Sequence, residues 1–111
     1  MATSTKYDHE IKLGDTFSNF DFQIVRSDGT PVNVLGASPI ELFIKKPSAG
    51  AFAAASGTVA ILDAIGNCSY AYDAADVDEA GTMEADCRFT LGGKIGTSPG
   101  NRFFQIRIYD H

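Results

Sequence analysis

Tryptophan is absent from this sequence, and histidine and cysteine occur only twice each. A structural zinc site needs three or four clustered ligands. Here the histidines, His9 and His111, stand at opposite ends of the chain, so neither Cys68 nor Cys87 has the company such a site requires. The same separation leaves the cysteines without an evident base for nucleophilic catalysis. No stretch approaches the roughly 18 consecutive apolar residues of a membrane-spanning helix. The first residues, Met1 to His9, lack the apolar segment of a secretory signal. Basic residues are also short: 9 against 14 acidic ones, a formal charge of −5. Such a surface repels phosphate backbones, which argues against nucleic acid as a partner. No Ser/His/Asp set and no complete phosphate-binding glycine loop appears, Gly92-Gly93-Lys94 being only a fragment of one. The expectation is a protein that is not an enzyme, uses no cofactor, and has neither a membrane nor a nucleic acid as partner.

What is present is period-two alternation, with helical periodicity almost missing. Phe20, Phe22 and Ile24 alternate with polar residues, as in a half-buried strand. Asp28-Gly29 marks a tight turn, after which Val32 and Val34 predict a short strand. Ile40, Leu42 and Ile44 follow, bracketed by Pro39 and Pro47. Residues 48–57 fit either a loop or one helical turn. Thr58 to Ile65 predicts another strand, and Cys68, Tyr70 and Tyr72 alternate beyond the Gly66-Asn67 turn. An acidic loop spans 73–82. Met83, Ala85, Cys87, Phe89 and Leu91 form the cleanest alternation in the chain. A long loop through Gly92-Gly93 and Ser98-Pro99 leads to a last strand with Phe104, Ile106 and Ile108 on one face. At 111 residues the chain is one domain's worth. The pattern predicts an all-β protein, an antiparallel immunoglobulin-like β-sandwich of about seven to eight strands over residues 9–111, preceded by a flexible arm over residues 1–8.

Several groups invite a chemical reading. Asp73, Asp76 and Asp78 in the acidic loop are weak candidates for a cation site, since hard cations take several oxygen ligands. The spacing lacks the glycine and distal glutamate of an EF-hand, and a solvated acidic loop is the expectation. Glu84 and Asp86 fall on the polar side of their strand. His9 and His111 read as solvated surface groups. Cys68 and Cys87 read as reduced core thiols; a disulfide is the alternative, disfavoured in a cytosol. Whether 73–82 is a hairpin or a crossover between sheets is left open: a hairpin would set the two cysteines face to face, a crossover on opposite walls of the core. The outward positions carry more information. Alternation assigns Phe43, Phe103 and Tyr109 to the solvent side. If the third and last strands share a sheet, these aromatics join Gln105 and Arg107 on one outer face, the composition of an interface centre. The bland reading is that single exposed aromatics are ordinary, or that a loop covers them.

An ordered set of short motifs then becomes visible. Gly14-Asp15-Thr16 precedes Phe20-Asp21-Phe22-Gln23-Ile24. Asp28-Gly29-Thr30-Pro31-Val32-Asn33-Val34 and Ile40-Glu41-Leu42-Phe43-Ile44-Lys45-Lys46-Pro47 follow. Gly66-Asn67-Cys68-Ser69-Tyr70, then Asp76-Val77-Asp78-Glu79-Ala80-Gly81-Thr82-Met83-Glu84-Ala85, and finally Ile106-Arg107-Ile108 complete it. Taken in order over residues 11–110, this resembles the N-terminal domain of phage baseplate upper proteins, immunoglobulin-like β-sandwich domains of tailed-phage virions. Met83 stands where those domains usually carry an aromatic. Such proteins typically continue into a helical trimerising stalk, so the docking role is the part that carries over. The resemblance implies a structural or adaptor protein of the tail, neck or baseplate. It would be assembled in host cytoplasm, with other virion proteins as partners and copies of itself as neighbours in the particle. The alternatives are a capsid decoration or head-fibre protein on the same fold and, with no tryptophan for a flat platform, less readily a carbohydrate-binding module.

Overall fold

The computed structural model describes residues 7–26, 28–98 and 103–110. Across them the chain forms strands β1 (His9–Lys12), β2 (Asn19–Gln23), β3 (Ile40–Lys45), β4 (Ala53–Ala54), β5 (Thr58–Ile61) and β6 (Asn67–Ala71). A 3₁₀ turn (Ala74–Asp76) precedes β7 (Gly81–Leu91), β8 (Lys94–Ser98) and β9 (Phe104–Tyr109). The larger sheet runs β1-β9-β7-β3-β4, with β8 also beside β7, and the smaller runs β2-β6-β5. Consecutive strands change sheet at β1–β2, β2–β3, β4–β5 and β6–β7, so the two layers are laced together along the chain.

Alternation decides which side of each strand is buried. Phe20, Phe22 and Ile24, with Cys68, Tyr70 and Tyr72, line the core from the smaller sheet. Leu42, Ile44, Met83, Ala85, Cys87, Phe104, Ile106 and Ile108 line it from the larger. Phe20, Phe22 and Phe104 join the layers, with ring centroids 5.1 to 5.3 Å apart and the Phe20–Phe104 pair edge-on. The connection after β6 is a crossover, since β6 and β7 belong to different sheets. Cys68 and Cys87 therefore sit on opposite walls of the core, both buried and both free.

Four sequence expectations are corrected. The strand expected at Val32–Val34 reduces to a single bridge between Val25 and Pro31, made by Arg26 N–H to the Thr30 carbonyl and Val32 N–H to the Ile24 carbonyl; beyond it Ile24 N–H donates to the Gly66 carbonyl, and β6 takes that side of β2. The strand begun at Thr58 stops at Ile61, because the Asp63 carboxylate accepts from the Ile65 and Asn67 N–H groups and turns the chain early. The long loop expected after Leu91 holds a strand, β8. Gly92 and Gly93 both have positive φ (61° and 80°), the two-residue hairpin geometry that folds β8 back onto β7. The fourth concerns antiparallel pairing throughout: β1 pairs parallel with β9, Ile11 opposite Ile108. Pro99, expected in that loop, lies outside the described residues, as do His111 and most of the expected N-terminal arm. Asp8, within them, exchanges bonds with Gln105: its N–H donates to the Gln105 carbonyl, and its carboxylate accepts the Gln105 N–H.

β8 and β9 lie on the same side of β7 but out of step. Between the Cys87–Ser98 and Ala85–Phe104 pairs, β7 moves two residues and its partner six. The two pairings are thus four residues out of step, and Phe103 comes directly before the start of β9.

Candidate interaction surface

β7 lies between β3 and β9, so the outward residues of all three share one face. Phe43 stands opposite Asp86, and Phe103 comes one residue before the Ala85–Phe104 pair, on the other flank of Asp86. Gln105 lies opposite Glu84, Arg107 opposite Thr82, and Tyr109 ends the row beside Lys12 of β1. Phe43, Phe103, Gln105, Arg107 and Tyr109 thus lie on one outer surface. Phe103 and Tyr109 are 41% and 38% exposed, while Phe43, Gln105 and Arg107 are half-buried.

Three further residues complete this surface. Arg88 places its guanidinium carbon 4.1 Å from the centre of the Phe43 ring and its Nε 3.1 Å from Asp86 Oδ1. Phe52, from the segment before β4, packs its ring 4.8 Å from that of Phe103. Ile95, on β8 opposite Thr90, is 80% exposed. A shallow hollow of about 280 Å³ lies among Pro39, Phe43, Arg88 and Ile95. Asp86 is only 3% exposed, although alternation turns it away from the core. A carboxylate loses hydration when buried and is retained where a cation bonds it; Arg88 does so. The centre of the outer face is therefore closed over Asp86, while the Arg88 side chain bonded to it stays 40% exposed. Arg88 was legible as outward-facing, but its contact with Phe43 follows only from the β3–β7 register. Phe52 gave no signal, since its neighbours are alanines. Ile95 could have been found from the Gly92-Gly93 turn. At the far end Arg107 stacks 5.3 Å from Tyr109, whose hydroxyl donates to Glu10.

The acidic loop does different work from that expected. Asp73 accepts from Ala75 N–H and starts the 3₁₀ turn. Asp76 is 2% exposed and accepts from Ser56 N–H, Asp73 N–H and the Tyr70 hydroxyl. Asp78 pairs with Lys46 at 2.9 Å. Each carboxylate serves a separate contact, so the solvated loop is corrected to a folded one built on a buried aspartate. Among the described residues no three His, Cys, Asp or Glu side chains gather as metal ligands would.

His9 is likewise not a free surface group. Its ring stacks against Phe20 and Tyr72, at 5.5 and 5.6 Å, and Nδ1 shares a 2.8 Å hydrogen bond with the Tyr72 hydroxyl. Burial holds its pKa below the ordinary value, against the opposing pull of Asp21, Asp15 and Glu10.

No family model matches the sequence, and no curated protein matches it. Among solved structures, the crystal structure of the Lin-41 filamin domain superimposes with a TM-score of 0.53 over 97% of this chain and 89% of that one, at 12% identity. The fold is an immunoglobulin-like β-sandwich of the filamin type. At that identity the likeness speaks to architecture alone.

Proposed function

We propose that this chain is a structural adaptor of a tailed-phage virion, placed at the tail, neck or baseplate, which docks other virion proteins through the outer face of its larger sheet. The observation that carries the docking role is the group of apolar contacts on this face, Phe43 under Arg88, Phe52 against Phe103 and the exposed Ile95, with Asp86 buried and bonded to Arg88. Aromatic residues and arginine are enriched at interface centres, where neighbouring groups exclude water. The virion setting is supported by the ordered motifs from Gly14-Asp15-Thr16 to Ile106-Arg107-Ile108 and by a fold suited to gripping. Several identical copies around a particle axis turn a modest contact into a firm attachment by multivalency.

The test is to purify particles of the phage whose genome encodes this chain and label them with gold-conjugated antibody to it. The expected result is the chain at stoichiometric abundance, with label on the tail, neck or baseplate. Its absence from washed particles overturns the reading, and label confined to the head moves it to the decoration role.

A further inference from the structure

The smaller sheet has an edge that nothing covers among the described residues. β2 pairs with β6 on one side only. Two bonds fix which backbone groups face which way. Ile24 N–H donates to the Gly66 carbonyl, in the register of the β2–β6 ladder, and Leu62 N–H donates to the Asn67 carbonyl, in that of β5–β6. Hydrogen-bonded pairs alternate along an antiparallel ladder. Phe20 and Phe22 therefore bond to β6, while Asn19, Asp21 and Gln23 send their backbone N–H and C=O groups out of the sheet. These three have no backbone partner among the described residues.

Natural edges are blunted by shortness, proline, lysine or a bulge. The other edges show such features: β4 has two residues, β1 carries Lys12, β8 carries Lys94, and β5 has four residues and packs near β3. β2 runs five residues, Asn-Phe-Asp-Phe-Gln, with no proline, lysine or glycine. From Asp21 and Gln23 a shallow depression of about 490 Å³ runs over the outer face of the sheet, across Asn67 of β6, to Leu62 and Asp63. The outward residues of this sheet include Asp21 and no lysine or arginine. Leu62 and Asp63 lie across β6, on the β5 side of that depression, so the charge beside the edge itself is that of Asp21.

We propose that the β2 edge receives an extended segment of a partner protein as an added strand, and that this segment alternates apolar and basic residues. Main-chain bonds to Asn19, Asp21 and Gln23 hold it, and alternate side chains set its specificity. Its apolar residues close over Phe22, and a lysine or arginine opposite Asp21 sets its charge against the Asp21 carboxylate. The site lies on the sheet opposite the aromatic face and does not depend on the virion setting.

The test uses two blocked eight-residue peptides, one alternating lysine and valine, the other glutamate and valine, added to the ¹⁵N-labelled full chain. The expected result is at least tenfold tighter binding of the lysine peptide, with exchange of the Asn19, Asp21 and Gln23 amides slowed at least tenfold. Asp21→Lys reverses the preference. Asp21→Pro, which removes an outward N–H that β2 does not use, abolishes binding while the remaining amide spectrum stays folded. Equal binding of both peptides, no binding of either, or protection centred on another strand overturns the proposal.

Discussion

The Tyr70 hydroxyl donates to the Asp76 carboxylate and so ties the middle strand of the smaller sheet to the crossover that starts β7. Gly57 N–H donates to the same hydroxyl at 2.7 Å, and Ser56 N–H to Asp76 at 2.8 Å. One buried pair thus fixes the segment before β5, the strand β6 and the 3₁₀ turn together. Burial and the neighbouring carboxylate push the Tyr70 pKa up, so the hydroxyl keeps its proton and remains a donor.

Removing either partner leaves buried groups unsatisfied. Tyr70→Phe is expected to lower stability by about 1–3 kcal/mol. Asp76→Ala strands three donors and is expected to cost more, roughly 3 kcal/mol or above. Urea unfolding followed by far-UV circular dichroism measures both; a Tyr70→Phe midpoint equal to that of the parent chain contradicts the assignment.

The two thiols are expected to be inert in the native state. Burial pushes Cys68 to about 11 and Cys87 to about 12, and only a thiolate attacks. An aromatic disulfide reagent near neutral pH should detect neither thiol in the folded chain and both after denaturation in guanidinium. Rapid reaction of one thiol without denaturant contradicts their placement on the two core walls.

His9 gives stability a pH dependence of defined sign. Its folded pKa lies below the ordinary 6.5, so the unfolded chain binds the proton more readily. The contribution is fully present above that value and is lost as pH falls through it toward the lower folded pKa. Stability should begin to decline as pH falls through the ordinary histidine range near 6.5, ahead of most carboxylate titration. His9→Gln should be less stable at neutral pH and flatter over this window. Parallel profiles for the two chains show that His9 is not the group responsible.

These residues also show what the sequence could and could not reveal. Phe20, Phe22 and Ile24, and Met83 to Leu91, announce their strands because burial on one face imposes period two over many residues. β1 offers one buried residue, Ile11, in four, too few to make a pattern, and its parallel partner is about a hundred residues away. β8 turns its large apolar residue, Ile95, outward, so it reads as loop. Asp76 looked solvated because an acidic run carries no sign of which member finds a buried tyrosine. Phe43, Phe103 and Tyr109 could be assigned outward by alternation, whereas Arg88 over Phe43 and Phe52 against Phe103 arise only from tertiary pairing.

The outer face can be weakened without breaking the fold. Phe103→Ser and Ile95→Ser remove exposed apolar surface, and each should cost no more than about 1 kcal/mol of stability. Association with virion partners, followed by light scattering or sedimentation, should weaken at least tenfold, since side chains at an interface centre often contribute more than 1 kcal/mol each. Unchanged association in both variants removes this face from the account.

The most direct measurement places the photoreactive amino acid benzoylphenylalanine at position 103 in one chain and, as a control, at position 35, where Leu35 is exposed in the connection before β3 and is not one of the clustered residues. Each chain is then built into virions and irradiated. A crosslink from position 103 to a tail, neck or baseplate protein, with none from position 35, is the predicted result. A crosslink from position 35 with none from position 103 contradicts it.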